Sequence, residues 1–153
     1  MFEVTEAEPS RDVGHLRSIF SAYKRHGMIT AIDDFGAGHS GLSMLADFQP
    51  DVIKIDMGLV RNIHADRARH AIARPIVMLC RELNISVIAE GVETFDEAIT
   101  MRELGVRLFQ GYLFARPAVE QLPVVSAATC VAVRDGHETA LIDGSLRRQR
   151  GSP

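Results

Sequence analysis

The chain has 153 residues, 46% hydrophobic and 24% charged, with a formal net charge of −3, which predicts one folded domain and excludes wholesale disorder. Lys plus Arg number 17 against 20 Asp plus Glu, so the basic excess that grips a nucleic-acid polymer is absent. Two cysteines, Cys80 and Cys130, are too few for a disulfide scaffold or a cysteine metal knuckle, and a reducing compartment is the simplest reading.

Short apolar runs predict strands at Phe2–Thr5, Met28–Asp33, Val52–Ile55, Ser86–Ala89 and Arg107–Phe109, each short for a helix and rich in Val, Ile or Phe. Between them the spacing predicts helices. One covers Arg11 to His26, with Ser10 as N-cap and Gly27 as its stop. A short helix is expected over Gly41–Asp47. Another covers Ala65 to Leu83, with Pro75 expected to kink it or split it in two. The last covers Thr94 to Leu104, opened by a Thr94/Glu97 capping box and closed by Gly105. This βα rhythm predicts an α/β fold with a parallel sheet. Beyond Pro123, Val124 to Val133 reads as one more strand, Asp135-Gly136-His137 as a turn, and Leu146 to Pro153 as a frayed basic tail. No apolar run approaches ~18 residues, and MFEVTEAEPS lacks the flank and core of a signal peptide. No membrane span and a cytoplasmic location are therefore expected.

Acidic and amide side chains gather at the predicted strand ends: Glu3 and Glu6, Asp33 and Asp34, Asp56, Glu90, then Gln110. In parallel α/β folds those ends share one face, where active sites are built. Any single one of these groups is as readily a solvated loop carboxylate or a helix cap. As a set they predict an oxygen-rich site for a hard divalent ion, because close carboxylates repel unless a cation neutralises them. Asp33-Asp34 reach one site only where the strand is ending. Two oxygens so placed suit two metals set for in-line attack on a phosphodiester. Lys54 would bring a positive charge to the same mouth, either to orient a water and steady phosphate charge or to pair with a carboxylate. The stretch GAGHSG (36–41) is a mobile loop or a tight turn, and it lacks the Gly-Lys-Ser/Thr ending of a Walker loop.

The stretches FEVTE (2–6), DDFGAGHSGLS (33–43), DVIKID (51–56), VIAEGVET (87–94) and FQGYLFARP (109–117) together resemble the C-terminal part of EAL domains, bacterial cyclic-di-GMP phosphodiesterases. The resemblance implies part of a (βα)₈ TIM-like barrel, five of its parallel strands with their helices. It also implies a two-metal hydrolysis of cyclic-di-GMP to linear pGpG with Mg²⁺ or Mn²⁺. Glu3, Asp33 and Asp34 are then the metal ligands, with Asp33 shared by both metals. Lys54 holds the catalytic water, and Glu90 is the general base or a water-mediated metal contact. Glu93 and Gln110 line the substrate pocket, and Glu6 anchors the loop after the paired aspartates. In that loop Ala37, His39 and Gly41 stand where Thr, Tyr and Ser are more usual, and His39 reads as a loop-surface residue.

A whole barrel of this kind needs about 250 residues. The Glu-Ala-Leu signature and the family's asparagine ligand do not occur here, and Asn62 and Asn84 lie outside the ligand motifs. Residues 1–123 are therefore expected to be a partial EAL domain, with 124–153 a divergent extension. The chain is read as a fragment, a truncated gene product or a piece that assembles with a second EAL-type chain or a complementing N-terminal half. Its metal site is then incomplete and its activity weak or absent alone. The alternative is a degenerate, non-enzymatic module that works by protein–protein interaction or by binding cyclic-di-GMP.

Overall fold

The computed structural model describes residues 1–6, 13–38, 41–117 and 124–136. The strands are β1 (Phe2–Thr5), β2 (Thr30–Phe35), β3 (Val52–Ile55), β4 (Ser86–Ala89) and β5 (Leu108–Phe109). The helices are α1 (Val13–Arg25), α2 (Gly41–Phe48), α3 (Met57–Val60), α4 (Arg67–Glu82), α5 (Phe95–Leu104) and α6 (Ala127–Asp135). All neighbouring strands pair in parallel, in the spatial order β1-β2-β3-β4-β5. Strand order follows chain order with no reversal. That is the progression of a (βα)₈ barrel, whereas a doubly wound sheet reverses at a switch point. The fold is thus α/β, five parallel strands of a TIM-like barrel with their connecting helices. No described helix is long and apolar enough to cross a membrane.

The register sorts side chains between two faces, because neighbours along a strand point opposite ways. Val4, Ile32, Ile53, Ile55 and Ala89 fall on one face and are buried under the helices. Phe20 and Phe48 stack there at 5.2 Å, with Phe2 edge-on to Phe20. The other face carries Glu3, Asp33 and Lys54, one on each of three adjacent strands. At the opposite end of the sheet from the acidic cluster, Thr30 donates its amide and hydroxyl to Asp51 Oδ2 at 2.8 and 2.7 Å. Burial raises the Asp51 pKa, but the two Thr30 bonds and Lys24 outweigh it and hold the group below the usual carboxylate range. A depressed pKa contributes stability above the unfolded value and loses it as pH falls through the folded one. Asp51→Asn is expected to cost about 1 kcal/mol at pH 7, reduced by solvent screening. The cost should vanish below the carboxylate range in urea melts against pH. A pH-independent difference would contradict this account.

Four expectations are corrected. The segment Val124–Val133 is not a strand: Ser126 caps a helix by accepting from the Thr129 amide, and Gly136 ends it in the left-handed region. Thr129, Ala132 and Val133 are its buried face, and that i, i+3, i+4 spacing is helical. Of the two outcomes expected at Pro75, the split does not occur: α4 runs unbroken from Arg67 to Glu82. The bond it forfeits belongs to the carbonyl of Ala71, at an exposed position where water is available. A short helix, α3, follows β3 on an Asp56 cap where no helix was foreseen. The fourth is β2, which lies two residues further along than the apolar run Met28–Asp33 suggested. Met28 and Ile29 are 47% and 53% exposed and lie before the strand, although the Ile29 carbonyl already accepts from the Phe2 amide at 2.8 Å, while Asp33 and Asp34 are inside the strand. Ser10, His39, Ser40, His137 and the Leu146–Pro153 tail lie outside the described residues.

Candidate functional site

The paired aspartates share a site because β2 breaks its own alternation. Its register with β3 shifts between Ile32 and Phe35, and Asp34 takes a left-handed φ of 53°. A bulge of this kind re-aims a side chain that regular pleating would send to the far face. Asp and Asn tolerate that conformation better than most residues. The strand therefore need not end at Asp33 for both carboxylates to converge.

Lys54 projects from the middle of the sheet and is 8% exposed. Its Nζ lies 2.8 Å from Glu90 Oε1, 2.9 Å from Asp33 Oδ1 and 3.4 Å from Glu3 Oε2. A cation so far from water would ordinarily lose its proton more readily, and burial is the largest influence on it. The hydrogen bonds it donates to Glu90 and Asp33, and their negative charge, overcome that and push the lysine above its usual value. Asp34 titrates higher than an ordinary aspartate, through burial first and then the charges of Asp33 and Asp56, with Lys54 partly opposing. Glu90 is also raised. Burial dominates, Lys54 pulls back, and Asp33 and Asp34 add repulsion.

One ammonium therefore faces more negative charge than it neutralises. Ligand oxygens of Asp33, Asp34 and Glu90 lie within 4.8 Å of one another, all three half-buried. This is a hard, oxygen-only donor set, and its unrelieved repulsion is what a divalent cation would remove. The sequence reading grouped Glu3 with the two aspartates. The structure gathers Glu90 with them and turns Glu3 toward Lys54.

Glu6 is 4% exposed. It accepts from the amides of Gly36, Gly38 and Gly41 at 2.7, 3.3 and 2.7 Å, gathering the loop after β2 onto one carboxylate. A Cβ at Gly41 would lie 2.8 Å from the Phe35 ring, so a glycine suits the loop's approach there. Glu93 lies at the mouth in an exposed ion pair with Arg61, 2.8 Å. Gln110 is exposed at the end of β5, where its amide bonds to Ala89 and its carbonyl to Val92.

Two residues at this end escaped the sequence reading as site residues. Arg61 was not singled out, and a lone arginine after an apolar turn carries no signal. Glu97 was read only as the partner of Thr94 in a capping box, which does form. Its second oxygen reaches the amide of Asn62, 35 residues away, and nothing local announces that.

Residues 1–117 match the EAL domain model. The chain is 38% identical over 124 residues to the blue light- and temperature-regulated antirepressor BluF of Escherichia coli K12, covering 81% of this chain and 31% of that one. Several other curated relatives carry the name cyclic di-GMP phosphodiesterase. A standalone EAL protein of Vibrio cholerae O395, solved with c-di-GMP bound, superimposes with a TM-score of 0.80 at 51% identity, over 85% of this chain and 55% of that one. BlrP1 of Klebsiella pneumoniae, solved with manganese and cyclic-di-GMP, gives 0.72 at 50% identity, over 76% and 30% of the two chains. The chain spans a third or less of the length of the curated relatives it matches. With the family match, the parallel strand order and the convergent carboxylates in agreement, the chain belongs to the EAL domain family.

Proposed function

We propose that this chain is the C-terminal, metal-binding portion of a cyclic-di-GMP phosphodiesterase. The observation that carries the reading is Lys54, buried and in contact with Glu3, Asp33 and Glu90 beside a second aspartate. Asp33, Asp34 and Glu90 would hold Mg²⁺ or Mn²⁺, with Glu3 joining them when Lys54 turns toward phosphate. The bound ion would supply Lewis acidity and favour the hydroxide form of a water. Lys54 would steady that water and the charge growing on the phosphate. Glu90, 2.8 Å from Lys54 Nζ, would accept a proton from that water when its contact to the ion runs through the water. Hydrolysis forms a bond from the water oxygen to phosphorus and breaks one bond from phosphorus to a ribose oxygen, which takes up a proton from solvent and leaves as a hydroxyl, turning the cyclic dinucleotide into linear pGpG. Glu93 and Gln110 would line the dinucleotide pocket. Glu6 would keep the loop after β2 in place beside Asp34.

Mn²⁺ titration, followed by calorimetry and paramagnetic broadening, tests the metal part. One weak site is expected. Asp33→Asn should weaken it about tenfold or more, as loss of a charged ligand implies. Two tight sites, or an Asp33→Asn variant that binds unchanged, would refute the ligand placement. Conversion of cyclic-di-GMP to pGpG should be slow for this chain alone. It should rise when a chain carrying the N-terminal strands of an EAL domain is added, and Lys54→Ala should abolish that gain.

A further inference from the structure

Glu97 is 2% exposed, among the most deeply buried charged groups described, and it lies outside the carboxylate cluster. Its Oε1 accepts from the amide of Asn62 at 2.9 Å. Its Oε2 accepts from the amides of Glu93 and Thr94, each at 3.0 Å. The first amide belongs to the turn after α3, where Asn62 holds a left-handed φ of 56°. The other two belong to the loop that carries Glu90 and Glu93 into α5. One carboxylate therefore staples two loops of the sheet's C-terminal edge to each other.

The staple lies directly beneath an ion pair. Arg61 precedes Asn62, and its guanidinium meets the Glu93 carboxylate at 2.8 Å. Both partners are more than two-fifths exposed, and a pair so exposed contributes little by itself and does not hold two long side chains in one geometry. Here both backbones are fixed from below by Glu97, and the Arg61 carbonyl is held from the side by the Arg69 guanidinium. The arrangement mirrors Glu6, which gathers three amides of the loop after β2. The two buried carboxylates each order loop backbone at the end of the sheet where the candidate site lies.

We propose that Glu97 is a positioning residue that fixes Glu93 and Arg61 relative to each other at the mouth of the site. This rests on the reading of Glu93 as a dinucleotide contact. The first readout below needs no ligand, so failure of that reading and failure of the staple are separable.

The experiment compares the full chain with Glu97→Gln and, as a milder variant, Thr94→Ala. Gln keeps one acceptor oxygen and turns a donor toward amides that need an acceptor. In Glu97→Gln, exchange should rise about tenfold or more on the side of the staple that meets the new NH2, either the Asn62 amide or the Glu93 and Thr94 pair, as loss of a charged acceptor implies. The Gly36 and Gly41 amides should keep their protection. Thr94→Ala weakens only the cap, so the Asn62 amide should stay protected. In Glu97→Gln the Arg61 Nη–H signals should move toward those of a free arginine, while Mn²⁺ affinity stays within about twofold of the parent. Unchanged exchange at all three amides would overturn the proposal. So would an equal loss of protection at Gly36 and Gly41, which would mark a general loss of stability. A tenfold fall in Mn²⁺ affinity would also overturn it, because Glu97 would then be acting on the carboxylate cluster and not on Glu93.

Discussion

Lys54→Met is expected to destabilise the protein by about 3 kcal/mol at pH 7, near the lower end for breaking a buried ion pair by removing one partner. Methionine keeps the apolar stem of lysine as far as Cε, so most of the packing survives and the ammonium is lost. What remains is Glu3, Asp33, Asp34 and Glu90 facing one another without the ammonium that touches three of them. The lysine is held above its ordinary pKa. Its contribution is therefore complete at pH 7 and is lost only as pH rises through that elevated value. The carboxylates set the acid side of the variant's behaviour. Asp34 and Glu90 are raised even with Lys54 present. Without it they should take up protons well before an ordinary carboxylate does, so the deficit should shrink toward pH 5. Millimolar Mn²⁺ should also recover part of the loss, because a divalent cation replaces the missing charge and stabilises by mass action. Urea melts at pH 7 and pH 5, with and without Mn²⁺, check all three points. A variant as stable as the parent at pH 7 would show that the cluster's charges are relieved by some other means.

Most of this site is legible from residue types and their order, and the reasons it is not wholly legible are specific. A lysine between an aspartate-ending strand and a glutamate-ending strand is placed by parallel topology alone, which brings consecutive strand ends to one face. The convergence of Asp33 and Asp34 is different. Alternation separates neighbours on a strand, and only the bulge at Asp34 undoes it. The apolar run Met28–Asp33 could not reveal that the strand starts at Thr30, because exposed Met28 and Ile29 look like core. The strand expected at Val124–Val133 failed for a related reason. Val is a strong strand former, but Ser126 and Gly136 supply helix ends, and caps plus packing against α5 outweigh a modest propensity. Glu97 shows the limit most plainly. Its local role in the capping box could be read three residues away, whereas its reach to Asn62 depends on how two loops meet.

Glu6→Ala is the second large expectation, at about 3 kcal/mol, because it removes a buried charged acceptor from the buried Gly41 amide and from the amides of Gly36 and Gly38. Gly36 and Gly41 donate to opposite oxygens of the carboxylate at 2.7 Å, and Gly38 adds a longer third bond. Water cannot easily replace the side chain where it is 4% exposed and packed against Gly38 and Gly41. Glu6→Gln is the more diagnostic change. It preserves volume, but one of its two terminal atoms becomes a donor facing amides, so about 2 kcal/mol should still be lost. A role in mere space-filling would leave Glu6→Gln neutral. The loop begins one residue beyond Phe35, and Phe35 directly follows Asp34. Slackening at Gly36 should therefore reach the left-handed Asp34 and weaken Mn²⁺ binding, even though Glu6 itself would touch no metal. Amide exchange at Gly36 and Gly41, read beside Mn²⁺ titration of the same Glu6→Gln protein, connects the two effects. Exposed glycine amides with unaltered Mn²⁺ affinity would separate the loop from the metal site and confine Glu6 to stability.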